Sequence, residues 1–186
     1  TMHIEIVEQI DSTNSELMRR AQARVQHRTT LSERPALDRI ALDLSQPHFL
    51  IAKTQTAGRG RLGRAWLSDA HALTFSLGLS LSPRSWSGLS LVVGLSLAQS
   101  LHPNIQIKWP NDLWLQQRKL AGILIETASL GEALAPPSPL DASHHVPPRY
   151  AVIGIGINIQ APNASTLPQL ATPPAGLSEL LPDWDA

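Results

Sequence analysis

GRGRLGRAWLSDAHALTFSLGLS, residues 58 to 80, decides between two folds. Its first six residues, Gly58-Arg59-Gly60-Arg61-Leu62-Gly63, fit G-x-G-x-x-G, the turn that carries a pyrophosphate in doubly wound α/β sheets. That fold needs a helix directly after the glycines and an acidic residue about 20 positions on to meet a ribose. Neither follows. Arg64-Ala65-Trp66 leads into a strand pattern, and no Asp or Glu occurs between Asp69 and Asp112. A Walker A loop is excluded as well, because Arg64 and Ala65 stand where Lys and Ser or Thr are needed. In residues 73 to 80, Leu73, Phe75, Leu77 and Leu79 alternate with Thr74, Ser76, Gly78 and Ser80. This predicts a strand with one buried and one polar face.

Upstream, residues 3 to 7 alternate weakly and Phe49 to Ala52 reads as a short strand. Between them Leu17, Met18 and Ala21 recur at helical spacing, and Thr13 with Glu16 makes an S/T-x-x-E start signal, which predicts a helix from Thr13. Residues 24 to 47 are polar and Pro-punctuated and read as a loop of low order. Downstream, residues 86 to 101 predict a buried helix, Ile105 to Trp109 a strand stopped by Pro110, and Leu113 to Leu115 with Ala121 to Thr127 a hairpin turning at Gln116 to Arg118. Tyr150 to Ile159 is a further strand. Residues 136 to 182 hold 10 of the 15 prolines, and Pro136 to Pro148 reads as an exposed loop between two strands. Strand-rich order with segregated helices predicts α+β: a mixed, largely antiparallel sheet with helices packed on one face.

The 186 residues hold 15 Lys plus Arg, 15 Asp plus Glu and no Cys, and 42% are hydrophobic. Such a chain can bury a core and lies far from the composition of disorder. Zero net charge excludes a wholesale basic footprint for nucleic acid, and no apolar run reaches the roughly 18 to 20 residues of a membrane span. Lack of Cys excludes disulfide and thiol chemistry and fits a reducing cytosol. Charge is unevenly placed, however: residues 53 to 119 carry 8 basic and 2 acidic side chains, net +6, against −1 before and −5 after. An anion-handling segment inside a neutral chain points to a small phosphorylated ligand.

Two clusters give that segment its chemistry. In the Gly-rich loop, glycines let backbone N–H groups approach an anion while guanidinium forks make bidentate bonds to phosphate or carboxylate. Lys108-Trp109-Pro110-Asn111-Asp112-Leu113 and then Lys119 would set two cations, an amide and a carboxylate at one sheet end, which is what an adenylating site needs. The seven histidines show no metal-ligand spacing, and Trp86, Trp114 and Trp184 read as packing groups.

The runs Gln55 to Trp66, Lys108 to Leu113, Arg118 to Leu124 and Gly154-Ile155-Gly156-Ile157-Asn158, with Ser12-Thr13-Asn14 ahead of them, resemble the successive motifs of biotin protein ligases over about residues 6 to 160. The resemblance implies the biotin/lipoate ligase fold, akin to class II aminoacyl-tRNA synthetases. It implies a cytoplasmic enzyme that joins biotin and ATP, with Mg²⁺, into biotinyl-5′-adenylate and passes biotin to a lysine of a biotin carboxyl carrier protein of acetyl-CoA carboxylase or a related carboxylase. By the family pattern Thr13 and Gln55 bond the ureido ring beside Ser12 and Asn14. Gly58, Arg59, Gly60 and Arg61 form the loop closing over biotin and adenylate, and this loop is expected to be mobile when empty. Lys119 holds the biotin carboxylate and α-phosphate. Arg61 and Arg64 favour phosphates, Asn111 and Asn158 line the nucleotide side, Trp66 packs over the adenylate, and Gly122 and Gly156 allow close approach of ligand. Asp112 is the candidate for the metal, with the ATP phosphates, or for the carrier lysine.

The same resemblance leads us to expect one catalytic domain over 1 to 186, incomplete at its C-terminus, without the helix-turn-helix of the gene-repressing members or the C-terminal SH3-like barrel. No DNA or membrane partner is expected, and a weak homodimer is left open. A truncated, non-catalytic module that holds biotin or its adenylate is the alternative from another class. A lipoate-type acyl ligase, which would lack the Arg-rich loop, is the third reading.

Overall fold

The computed structural model describes residues 2–29, 43–68, 71–129, 148–162 and 172–181. Most of the Pro-rich loop, His144, His145 and Trp184 lie outside the described residues. Seven strands form one sheet in the order β1-β2-β3-β7-β6-β5-β4. They are β1 His3–Ile10, β2 His48–Gln55, β3 Ala72–Leu81, β4 Gln106–Lys108, β5 Asp112–Leu115, β6 Arg118–Ser129 and β7 Arg149–Asn158. The helices are α1 Thr13–Thr29 and α2 Leu89–Leu101. β1 runs parallel to β2 and every other neighbouring pair is antiparallel, so the predicted mixed, largely antiparallel sheet is present.

The expectation that the helices share one face does not hold. Register places Tyr150, Val152, Gly154, Gly156 and Asn158 of β7 on one face and Ile153, Ile155 and Ile157 on the other. Leu17 and Ala21 of α1 pack with Leu50, Tyr150 and Val152 on the first. Ala98 of α2 packs with Leu113, Ala121, Ile123, Ile153, Ile155 and Ile157 on the second. A strand covered on both sides must be apolar throughout, and this is why AVIGIGIN lacks clean alternation. The polar face of β3 is likewise not the solvent face: Thr74 and Ser76 are 1% and 0% exposed beneath α1 and its entry loop. Alternation showed a two-faced strand but not which face meets water.

α1 begins at Thr13, as expected, with Ser12 as its cap: the Ser12 carbonyl accepts from Glu16 N at 3.0 Å and its Oγ from Ser15 N at 3.4 Å. Glu16 pairs with Arg19 and Arg20 one turn on. Arg24 to Thr29 continue the helix rather than begin a loop, residues 30 to 42 of the expected loop lie outside the described residues, and Leu44 is buried in a turn before β2. The β5–β6 hairpin turns where expected, with Gln116 at φ 48° and Gln117 at φ 62°, the two left-handed residues that a tight hairpin turn requires.

Candidate active site

The first sheet face carries a polar shelf at the start of α1. Asp11 accepts the Ser12 N–H and fixes the chain at the helix entry, which sets Thr13 and Asn14 over the middle of the sheet. Arg19 hydrogen bonds hold the Asp11 carboxyl low, at about 2. The Thr13 N–H donates to Gln55 Oε1 at 2.7 Å, and Thr13 Oγ1 lies 3.1 Å from the same oxygen. Ser76 Oγ lies 2.7 Å from Thr13 Oγ1 and 2.6 Å from Asn14 Oδ1. Asn14 Nδ2 donates to Leu124 O at 3.2 Å and Glu126 Oε2 at 3.1 Å. Gln55 Oε1 and Asn14 Oδ1 can only accept, so two hydroxyl protons serve three oxygen–oxygen contacts. Gly154 leaves the floor open for this arrangement, since a Cβ there would come within 2.7 Å of Asn14 Cγ.

Two residues along β7, the same face changes character. A Cβ on Gly156 would come within 2.5 Å of Trp66 Cζ2 and 2.6 Å of Nε1, because the indole lies flat over this strand and over Gly122 of β6. Trp66 Nε1 is buried and has no hydrogen-bond partner. The Arg-rich loop that delivers Trp66 is a folded unit: Gly60 N donates to Arg64 O at 2.7 Å, Trp66 N to Gly58 O at 2.8 Å, and Arg61–Gly63 form a tight turn with Leu62 at φ 57° and Gly63 at φ 73°. Its three arginines diverge. Arg59 reaches Glu126 at 3.0 Å, Arg61 donates to Asn111 Oδ1 at 3.3 Å, and Arg64 is exposed.

Lys119 stands beside the indole, its Nζ 5.8 Å from the ring centroid and 2.9 Å from Asp112 Oδ1. Its backbone is clamped: Lys119 N donates to Pro173 O and Ala175 N to Lys119 O, both at 2.8 Å, while Asn158 Nδ2 donates to the Lys119 and Ala175 carbonyls at 3.3 and 3.1 Å. Arg118 secures the same segment through Glu179 at 2.5 Å. Asn111 anchors the turn below by donating from Nδ2 to Ile123 O at 2.9 Å. A cavity of about 370 Å³ lined by Pro103, Asn104, Gln106, Leu115 and Gln116 lies elsewhere and holds no ionisable side chain.

The site thus combines a neutral polar shelf, a cationic aromatic station beside it and an Arg-rich loop against both. Residues 23–135 match the Biotin/lipoate A/B protein ligase family. The chain belongs to this family. Among its ligase relatives, the bifunctional ligase/repressor BirA of Escherichia coli is 41% identical over 66% of this chain and 36% of its own. The biotin--[acetyl-CoA-carboxylase] ligase of Mycobacterium tuberculosis is 32% identical over 86% of this chain and 50% of its own. The biotin protein ligase of Aquifex aeolicus, solved in complex with biotin and ATP, aligns with TM-score 0.60 and 27% identity over 98% of this chain and 63% of that one. The chain thus spans between about a third and two thirds of these ligases.

Every expected site residue lies among the described residues, but they fall into two groups. Thr13, Asn14, Gln55, Gly58, Arg59, Gly60, Arg61, Arg64, Trp66, Asn111, Asp112, Lys119, Gly122 and Gly156 gather on one sheet face and its loop. Ser12 and Asn158 act as supports, one to its helix and one to the Lys119 backbone. The sequence reading missed Ser76, Glu126 and the segment from 172 to 179. Ser76 lies on the face that alternation marks only as polar. Glu126 lies two residues past the Lys119 motif with no signal of its own, and the segment's role depends on a β-bridge at Lys119 and Pro174.

Proposed function

We propose that this ligase-family chain is the catalytic domain of an ATP-dependent biotin protein ligase. The observation that carries the reading is the pair of stations that Gly154 and Gly156 leave on one strand. They sit two residues, about 7 Å, apart. The first offers neutral donors and acceptors and suits a ureido ring. The second offers a lysine and an indole and suits a carboxylate next to an adenylate. Biotin presents these groups at its two ends.

In the first step the biotin carboxylate attacks the α-phosphorus of ATP, forming biotinyl-5′-adenylate and releasing pyrophosphate. Two anions must meet, so a cation touching both lowers the barrier by orientation and charge. Lys119 takes this role once it exchanges Asp112 for the ligand oxygens, and Arg61 and Arg64 take the outer phosphates. Trp66 moves from Gly156 to cover the adenylate, where its unpartnered Nε1 finds an acceptor. In the second step the acceptor lysine amine attacks the acyl carbon, AMP leaves, and Asp112, freed of Lys119, is placed to receive the amine proton. The acceptor is a biotin carboxyl carrier protein of acetyl-CoA carboxylase or a related carboxylase, and the reaction is cytoplasmic.

Among the described residues no three His, Cys, Asp or Glu side chains converge on a metal position. One carboxylate, Asp112, fits Mg²⁺ only as an ion arriving with the phosphates, where it would neutralise charge on the leaving pyrophosphate. Incubation with biotin, Mg·ATP and an acceptor domain, followed by mass measurement, tests the proposal. A biotinyl mass gain on the acceptor is expected. Retention of biotin or its adenylate without transfer would mean a binding module instead, and use of lipoate in place of biotin would mean the other branch of the family.

A further inference from the structure

We propose that Glu126 is a positioning residue that joins the two halves of this site, holding the Arg-rich loop by its charge and the polar shelf by its oxygen. The proposal rests on the biotin ligase reading only for its ligand. Glu126 belongs to β6, on the face that carries Gly122 and Leu124, and its side chain is 23% exposed. One oxygen, Oε1, lies 3.0 Å from an Arg59 nitrogen. The other, Oε2, accepts from Asn14 Nδ2 at 3.1 Å and from Arg59 at 3.4 Å, while Arg59 also donates to Ser15 Oγ at 3.3 Å.

Two consequences follow. The Asn14 amide has only one workable orientation: its NH₂ faces two acceptors, Leu124 O and Glu126, and its oxygen faces the Ser76 hydroxyl. A flipped amide would set an oxygen against a carbonyl and a carboxylate. Glu126 therefore fixes which edge of the shelf donates and which accepts, the property that a ureido group reads. Arg59 is neutralised as well, so its task is to tie the loop down, and ligand anions fall to Arg61, Arg64 and Lys119.

Glu126→Gln keeps an acceptor for Asn14 and removes the charge that holds Arg59; Glu126→Leu removes both. Chymotrypsin cleavage after exposed Leu62, without ligand, should be up to about fivefold faster in either variant, the factor that about 1 kcal/mol represents, since Arg59 is half exposed. Added salt should speed wild-type cleavage towards the Glu126→Gln rate and leave that variant unchanged, since an ion pair is screened. By calorimetry Glu126→Gln should bind biotin within about threefold of wild type, and Glu126→Leu about tenfold more weakly, at similar melting temperatures. Equal cleavage of wild type and Glu126→Gln would overturn the tie to Arg59, and undiminished biotin affinity in Glu126→Leu would overturn the role at Asn14. If wild type binds no biotin, the ligase reading fails, and the cleavage arm still decides the tie on its own.

Discussion

Gly154→Ala puts the ureido shelf to its sharpest test. The added Cβ would enter the Asn14 amide, 2.7 Å from Cγ and 3.1 Å from Nδ2, where van der Waals contact begins at 3.4 Å. Oδ1 lies closer still than Cγ, so the amide must retreat by more than about 0.7 Å, the shortfall at Cγ alone, although it is held to Ser76, Leu124 and Glu126. Overpacking of this kind costs about 1 to 3 kcal/mol. For a domain of this size that lowers Tm by roughly 2 to 12 °C. Biotin affinity should fall more steeply than stability, by at least about tenfold, because three polar partners move together. The control is Gly94→Ala in α2, where the new Cβ meets nothing closer than Ile123 Cδ1 at 3.4 Å. Ala is favoured over Gly in a helix by about 1 kcal/mol, so this variant should melt at or above wild type. Thermal unfolding and biotin calorimetry on the three proteins suffice. A Gly154→Ala protein with wild-type Tm and biotin affinity would refute the close approach of Asn14 to β7 and the shelf built on it.

Lys119→Ala should lose biotin-dependent pyrophosphate release by about 10²- to 10³-fold, the scale for removing one charge-stabilising donor; near-normal release would remove Lys119 from the chemistry. Trp66→Phe deletes a buried donor without a partner, so the ligand-free variant should be no less stable than wild type, yet gain less Tm from biotin plus ATP, as differential scanning fluorimetry would show. The Asp11 carboxyl, held at about 2 in the folded chain against an ordinary 3.8, contributes stability above pH 3.8 that is lost as pH falls through about 2. Asp11 is 42% exposed, which limits the effect to about 1 kcal/mol or less. Asp11→Asn should therefore melt slightly below wild type at pH 7, with the gap closing by pH 2 in acid titrations.

The parts of the site legible in the sequence are those whose chemistry is local. A glycine loop with three arginines, a Pro-fixed turn with Asn and Asp, and a lysine opening a hairpin strand each advertise themselves within a dozen residues, and the structure places all three at one end of the sheet. What stayed hidden depends on distant partners. Nothing near Ser76 reveals that the start of α1 covers it, so alternation marks it only as polar. Nothing in AVIGIGIN tells Gly154 from Gly156, although one faces an amide and the other an indole. Helix placement was hidden for the same reason: α1 and α2 both present apolar residues, and only strand register shows that these meet opposite faces.

The shelf is drawn from nearly the whole chain. Its hydrogen bonds join residues 42, 62, 110 and 112 positions apart, and its floor comes from β7, the last strand among the described residues. The span from 23 to 135 contains neither Thr13 and Asn14 nor Gly154, so it would carry the Arg-rich loop and Lys119 with no pocket beneath them. Ligand affinity in this design reports completion of the fold. A nascent or partly unfolded chain lacks the shelf, so any ligand that the shelf holds draws the population towards the finished state by mass action. Such a ligand raises the melting temperature of the chain whatever chemistry follows.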